Sequence, residues 1–551
     1  MWISQNRHER RLRLPRGSRS LASQRHRFRP RLEGLEDRTV LSTLTVLNTL
    51  DKGAGSLRDT ITNAKSGDTI VFAPTLDGQT ITLTSDELAI NKSVDIEGPG
   101  ADKLAISGND AVRVFDLGGQ GITVTIAGLT ITHGRAHSNG GGVNNPGNTL
   151  NLTNDVLSYN QAIGKDGGGI GSGGGVDTDH GTVSVTGCVF TGNRAVGGTG
   201  GTVSGDGHIY IGFAIGGGIH NTNGSLTVVN STFSGNQAVA GSGGAVGKTS
   251  NTFYRLDIAQ GGGIDNSTGG TLFLSGSRFA YNQAIGGSNA TGASSGDGRI
   301  GSGFGGGVYD RLGATITNST FDHNLAMGGG GNTGGTATLV GAGVGGGIAV
   351  LIGNLNASGL TITNNQAVGG VGNTGSLFAG DGIGGGFGTG WGATATVSSS
   401  TISDNQAVGG QGGAGASGAN GLGGGLANIL GSTLTVSGCM VSGNQAVGGA
   451  GGTGANGGNG LGGGIFNDGL SIASSNAGTP ATLTVTGSTI TANSATGGAA
   501  GTGGSAGLGE AGGLYLADGG IVCLDAFTQA HTTNNQATTD HDDIFGSFMT
   551  C

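Results

Sequence analysis

The chain has 551 residues, of which 126 are glycine and 6 proline, with 11% charged and 5% aromatic side chains. The glycines keep no strict Gly-X-Y period, which excludes collagen, and no run of about eighteen apolar residues occurs, which excludes a membrane-spanning helix. The net charge of −9 hides two parts: residues 1–42 hold eleven arginines against four acids, while the rest keeps 14 of the 25 bases and 30 of the 34 acids, a balance of −16 that argues against nucleic acid as partner.

Residues 1–42 are basic and polar, without the apolar stretch of about 7 to 15 residues that an ordinary signal peptide carries. They read as a disordered leader. Within it, LEDRTVLS at Leu35 to Ser42 resembles the LEPR-XLL motif at the head of large surface or exported proteins of planctomycete bacteria, with Asp37 in place of proline and Val40 in place of leucine. That resemblance implies an exported protein.

Residues 43–139 form the first part of the body. A strand is followed by SLRDTITNA, Ser56 to Ala64, the best short helix in the chain, placed to cover the open edge of a first coil. GSLRDTI resembles the CSLREAI signature that opens many bacterial β-helix proteins, with Gly55 where that family has cysteine. From Thr69 to Gly134 strand patterns follow closely and predict three regular coils.

Residues 140–540 repeat one sentence, clearest as GGGIHNTNGSLTVVNSTFSGNQA at 216–238. The copies align on Asn160, Asn193, Asn236, Asn282, Asn324, Asn365, Asn405, Asn444, Asn493 and Asn535, spaced 33 to 49 residues apart. A period near forty, with strand-type alternation and no helical period, predicts one all-β solenoid. The expected fold is a single-stranded, right-handed parallel β-helix of about thirteen coils, each of three short strands, about 60 Å long. Stacking places Val228 between Val185 and Leu274, and Phe233 between Phe190 and Phe279. The asparagines read as a structural ladder at one corner. Glycine-rich inserts after each asparagine leave at one corner and should lie on one side. Those after Ala407 and Ala446 suit three-residue-per-turn extended helices, the alternative being a disordered fringe. Residues 541–551 read as a C-terminal tail.

The pairing of GGGI or GGGV with FxxN, at Phe190 to Asn193, Phe233 to Asn236, Phe279 to Asn282 and Phe321 to Asn324, resembles the repeats of chlamydial polymorphic outer membrane proteins. This implies a β-helical surface protein of adhesin type. Later units carry Ile362, Ile402, Val441 and Ile490 instead of phenylalanine, and no alternating barrel strands follow the last coil.

Polysaccharide lyases and glycosidases on this fold need clustered carboxylates with calcium and a basic residue, or two acids about the scissile bond. The candidates are Asp177 and His180 in DTDH, then His220 and Asp265 in the place of Asp177, then Asp310 and Arg311 beside Tyr309. The same column continues as Ala349, Gly388, Ala427 and Phe466, which suits a solvated face. The dipeptides at Asp206, Asp297 and Asp381 read as turns, and His541 to Asp543 as tail. Cys188 and Cys439 replace one serine of the repeat, too many coils apart to pair, whereas Cys523 and Cys551 are either paired or free. No cofactor is predicted, and calcium is the ion these carboxylates would suit. The leading function is an exported or cell-surface, non-catalytic protein with a structural or adhesive role, its partner a polysaccharide or other cell-surface ligand. The alternatives are a pectate-lyase-like carbohydrate-active enzyme, and a fragment or degenerate copy of a larger surface protein. Oligomeric state stays open.

Overall fold

The computed structural model describes residues 41–203, 208–247, 253–293, 297–335, 337–375, 377–469 and 480–551. The chain divides into two units, Met1–Val40 and Leu41–Cys551. The leader and the core of its LEPR-like motif, together with Asp206, lie outside the described residues.

From Leu41 on, every strand pairs in parallel with its counterpart one coil away, which makes the unit a parallel β-helix. A coil runs through four sheets in turn. In the unit used above, Ile219–Thr222 belongs to sheet I, Ser225–Val229 to sheet II, Thr232–Ser234 to sheet III and Gln237–Val239 to sheet IV. Among the described residues sheets I and III have thirteen strands, sheet II fifteen and sheet IV eleven. The fourth strand per coil exceeds the three expected. It is the QAV that follows the asparagine, in which only Ala238 is buried, packed with Ala214 and Ala259 of the inserts, too few residues to show a period.

The core is made of columns. Val185, Val228 and Leu274 are in register, as are Phe190, Phe233 and Phe279. The rings of Phe190, Phe233, Phe279 and Phe321 stack with centroids 4.6, 4.6 and 5.0 Å apart. Each such side chain, fully buried, contributes roughly 1.5 to 3 kcal/mol, so a chain poor in bulky residues still closes a dry interior by placing them all in line.

Helix α1, Leu57–Asn63, covers the first coil. Ser56 caps it by accepting from the Asp59 N–H at 3.2 Å, and Leu57, Thr60 and Ile61 form its buried face. A second short helix, α2 at Ala526–Ala530, is capped by Asp525, which accepts from the Thr528 N–H at 2.8 Å. Cys523 and Cys551 are joined in a disulfide, while Cys188 and Cys439 are free and buried.

The inserts are ordered wherever they are described. Their two-residue strands, from Gly171–Ser172 to Gly509–Glu510, form a nine-stranded sheet V, and His208–Ile211, Phe253–Leu256, Asp297–Ile300, Leu339–Val340 and Phe378–Ala379 form sheet VI. The later inserts pack glycine on glycine. Gly449 donates to the Ala419 carbonyl at 2.8 Å, Gly458 to Gly449 at 2.8 Å and Gly498 to Gly458 at 2.8 Å. A Cβ on Gly418 would collide with the Gly449 carbonyl, so the backbones approach only because no side chain intervenes. No helix among the described residues is long and apolar enough to cross a membrane.

Candidate functional site

The strands Val176–Asp179, Ile219–Thr222, Ile264–Asn266 and Val308–Asp310 lie side by side in sheet I. Their register aligns Asp177, His220, Asp265 and Tyr309. Val176, Ile219, Ile264 and Val308 face the core, so this column points outward. It is nevertheless buried, with Asp177 3%, His220 6%, and Asp265 and Tyr309 0% exposed. The inserts roof it: Tyr309 shares an apolar cluster with Ile258, Phe304 and Val344. The column is therefore not the solvated face that its sequence suggested.

Beneath this roof His220 bridges two carboxylates. Its Nδ1 is 2.8 Å from Asp177 Oδ1 and its Nε2 3.5 Å from Asp265 Oδ2, which also accepts from Ser267 Oγ at 2.5 Å. Burial by itself would push His220 down, but the Asp177 hydrogen bond and the charges of Asp177, Asp265 and Asp179 together hold it above its ordinary value. Burial pushes Asp265 up to about 6 against the pull of His220. Asp265 Oδ1 and Tyr309 Oη have no hydrogen-bond partner among the described residues.

The other candidates lie elsewhere. Asp310 belongs to the neighbouring column with Asn221 and Asn266, and accepts from Asn266 Nδ2 at 2.7 Å. One residue along a strand reverses the face, which is why Asp310 does not join Asp265. His180 is 69% exposed at a left-handed corner, against Asp179 at 2.7 Å. Arg311 donates to Thr268 Oγ1 at 2.7 Å on the surface. The structure thus brings Asp177, His220 and Asp265 together, and leaves His180, Asp310 and Arg311 apart from them.

The asparagine corner is continuous. Each of Asn160, Asn193, Asn236, Asn282, Asn324, Asn365, Asn405, Asn444 and Asn493 donates from Nδ2 to Oδ1 of the next at 2.9 Å. The receiving Oδ1 also takes the backbone N–H of the residue below, as at Asn236 to Asn282, 3.1 Å. At the far end Asn535 donates to Asp543 Oδ1 at 2.9 Å, and Asp542 accepts from the Ala537 N–H at 2.8 Å. The acids after His541 are thus engaged in closing the last coil. Asp381 is buried and accepts from the Asn420 N–H at 2.7 Å, and burial pushes it up to about 7. Among the described residues no three His, Cys, Asp or Glu side chains are grouped to hold a metal ion.

An open cleft of about 410 Å³ lies at the first coils, where sheet IV begins with Arg135–His137. Asp86, Glu87, Arg113, Arg135 and His137 line it. Arg113 is fixed by Glu87 at 3.2 Å and Asp116 at 3.0 Å, and by the carbonyls of Gly140 and Asn139 at 2.9 and 3.0 Å. Arg135 and His137 are exposed. These acids and bases come from three segments with no motif spacing, so the sequence gives no signal for them beyond their charge.

No family model matches the chain, and no curated protein matches it. Solved structures do. The periplasmic alginate epimerase AlgG is 8% identical over 88% of this chain and 77% of its own, with a TM-score of 0.26. A mannuronic acid specific polysaccharide family 6 lyase from human gut microbiota is 11% identical over 73% and 81%, TM-score 0.27. The tailspike protein of E. coli bacteriophage HK620 is 11% identical over 90% and 78%, TM-score 0.26.

Proposed function

We propose that this protein is an exported, non-catalytic β-helix that acts at the cell surface or outside the cell as a structural or adhesive element toward polysaccharide. One observation carries the reading: the acid–base column nominated by the sequence is sealed beneath the inserts, with Asp265 0% exposed. A sugar chain must lie against the carboxylates that cleave it, and it cannot do so there. The exterior offers interchangeable groups instead, such as Thr394, Thr433 and Thr482 in one column and Gln366, Gln406 and Gln445 in another. The basic leader, with its resemblance to surface-protein heads, supports export.

The test is incubation of the full chain with acidic and neutral polysaccharides, with and without calcium, following both bound polymer and released product. Binding without product is expected. Product release abolished by Asp265→Ala would overturn the reading.

A second reading, a carbohydrate-active enzyme of pectate-lyase-like type, is favoured by the open cleft, where carboxylates, guanidinium groups and an imidazole meet in solvent. It requires turnover that Glu87→Gln and Arg113→Gln abolish.

A further inference from the structure

Where each coil turns from sheet III to sheet IV, the residue just before the ladder asparagine, and before Gly134 one coil ahead of the ladder, takes the left-handed conformation. Gly192, Gly235, Asn364 and Asp404 adopt it readily. At His133, Tyr159, Tyr281 and His323 a ring residue adopts it, with φ between +50° and +57°. Tyr159 and Tyr281 are 56% and 54% exposed, so burial does not offset the strain. Strained backbone whose side chain stays exposed points to function.

The rings are arranged in two pairs, His133 with Tyr159 at 5.6 Å and Tyr281 with His323 at 5.0 Å between centroids. Gly192 and Gly235 separate the pairs, so the two tyrosines stand three coil steps, about 14 Å, apart along the solenoid axis. Two residues past the corner comes the outward-facing start of each sheet IV strand. There Arg135 lies beside the first pair and Arg194 beside the Gly192 gap. Both are exposed, and neither side chain has an ion-pair or hydrogen-bond partner among the described residues. Of the acids near this stripe, Asp322 is held by Arg278 at 2.7 Å and His323 at 2.6 Å, Asp404 stands at a later corner, and Asp86 and Glu87 line the cleft with Arg135. From His133 to Ile285 the corner residues and the sheet IV strands carry Arg135 and Arg194 and no acid, in a body with a balance of −16.

We propose that this corner binds an acidic polysaccharide laid along the solenoid axis, the apolar faces of its sugar rings on Tyr159 and Tyr281 and its carboxylates on Arg135 and Arg194. Aromatic faces accept C–H surfaces, and the guanidinium fork matches a carboxylate. The proposal rests on the binding reading above and names its site and ligand class.

Binding of the full chain to polygalacturonate, with dextran as uncharged control, is measured by titration calorimetry. Tyr159→Gly with Tyr281→Gly introduces the residue that Gly192 already provides at this corner, and a thermal midpoint at or above the parent's verifies its fold. At least about tenfold weaker binding is expected for this pair and for Arg135→Gln with Arg194→Gln. Phe273→Ser, which removes an exposed ring on sheet II, should bind as the parent does. Parent-like binding by both double variants would overturn the site and leave the adhesive reading standing. Failure of the parent to bind polygalacturonate would overturn the proposal. Consumption of the polymer would overturn the non-catalytic reading, and the same variants would still decide the site.

Discussion

His220 Nδ1 lies 2.8 Å from Asp177 Oδ1 across one coil step, both side chains buried beneath the inserts. Removing the imidazole leaves Asp177 buried without its cation, a change that costs about 3 to 5 kcal/mol. His220→Ala should therefore lower the thermal midpoint sharply. Asp177→Asn with His220→Asn, stacked on Asn144 of the same column, should recover most of the loss. Equal midpoints for His220→Ala and the parent would show that the pair carries no stability.

Burial pushes the carboxyls of Asp155 and Asp381 up to about 7. Unfolded, they titrate near about 3.9. Between these values the folded chain holds protons that the unfolded chain releases, so stability falls as pH rises through the window. His220, held above its ordinary value, acts in the same direction: its stabilisation is present below the unfolded pKa and is lost as pH rises through the folded one. The thermal midpoint should be higher at about pH 5 than at about pH 8. Asp381→Asn, which keeps an acceptor for the Asn420 N–H, should raise the midpoint at the higher pH and flatten the profile.

Asn324 accepts from the Asn282 N–H at 3.0 Å and from Asn282 Nδ2 at 2.9 Å, and donates to the Phe279 carbonyl at 3.0 Å and to Asn365 Oδ1 at 2.9 Å. Asn324→Ala orphans these buried groups at about 1 to 3 kcal/mol each. A drop equivalent to about 3 kcal/mol or more is expected in thermal or denaturant unfolding. Asn535→Ala, at the last coil, should cost less. Equal effects at the two positions would refute the view that the ladder acts through its buried interior.

Gly418→Ala sets a methyl group against the Gly449 carbonyl. The inserts should loosen while the solenoid holds. Hydrogen exchange is expected to rise across 409–421 and 448–460 with the far-ultraviolet β signal unchanged. Unaltered exchange in those segments would mean that the glycine packing does not order them.

Legibility in the sequence followed the length of each signal. Strands of sheet II such as Ser225–Val229 alternate over five residues, and the phenylalanine column repeats outright, so both could be read directly. α1 carries a cap and an apolar face, whereas α2 has five residues and too little period to read. The buried state of Asp177, His220 and Asp265 was not legible, because a glycine-rich insert reads as a loop until it is seen stacking into sheets V and VI. The polar residue facing away from the core then looks solvated. The cleft of Glu87, Arg113 and His137 was missed for another reason: its members meet only after the chain has wound through successive coils.

All nine links from Asn160 to Asn535 run in the same sense, donor toward the C-terminal end. The amide dipoles therefore add instead of cancelling, as peptide dipoles do along a helix. Their positive pole meets the carboxyl of Asp543, and their negative pole meets the N–H of Gly134. A duplicated unit can be spliced into such an array anywhere without disturbing its polarity, so the solenoid can lengthen by gene duplication while its two poles remain where they are.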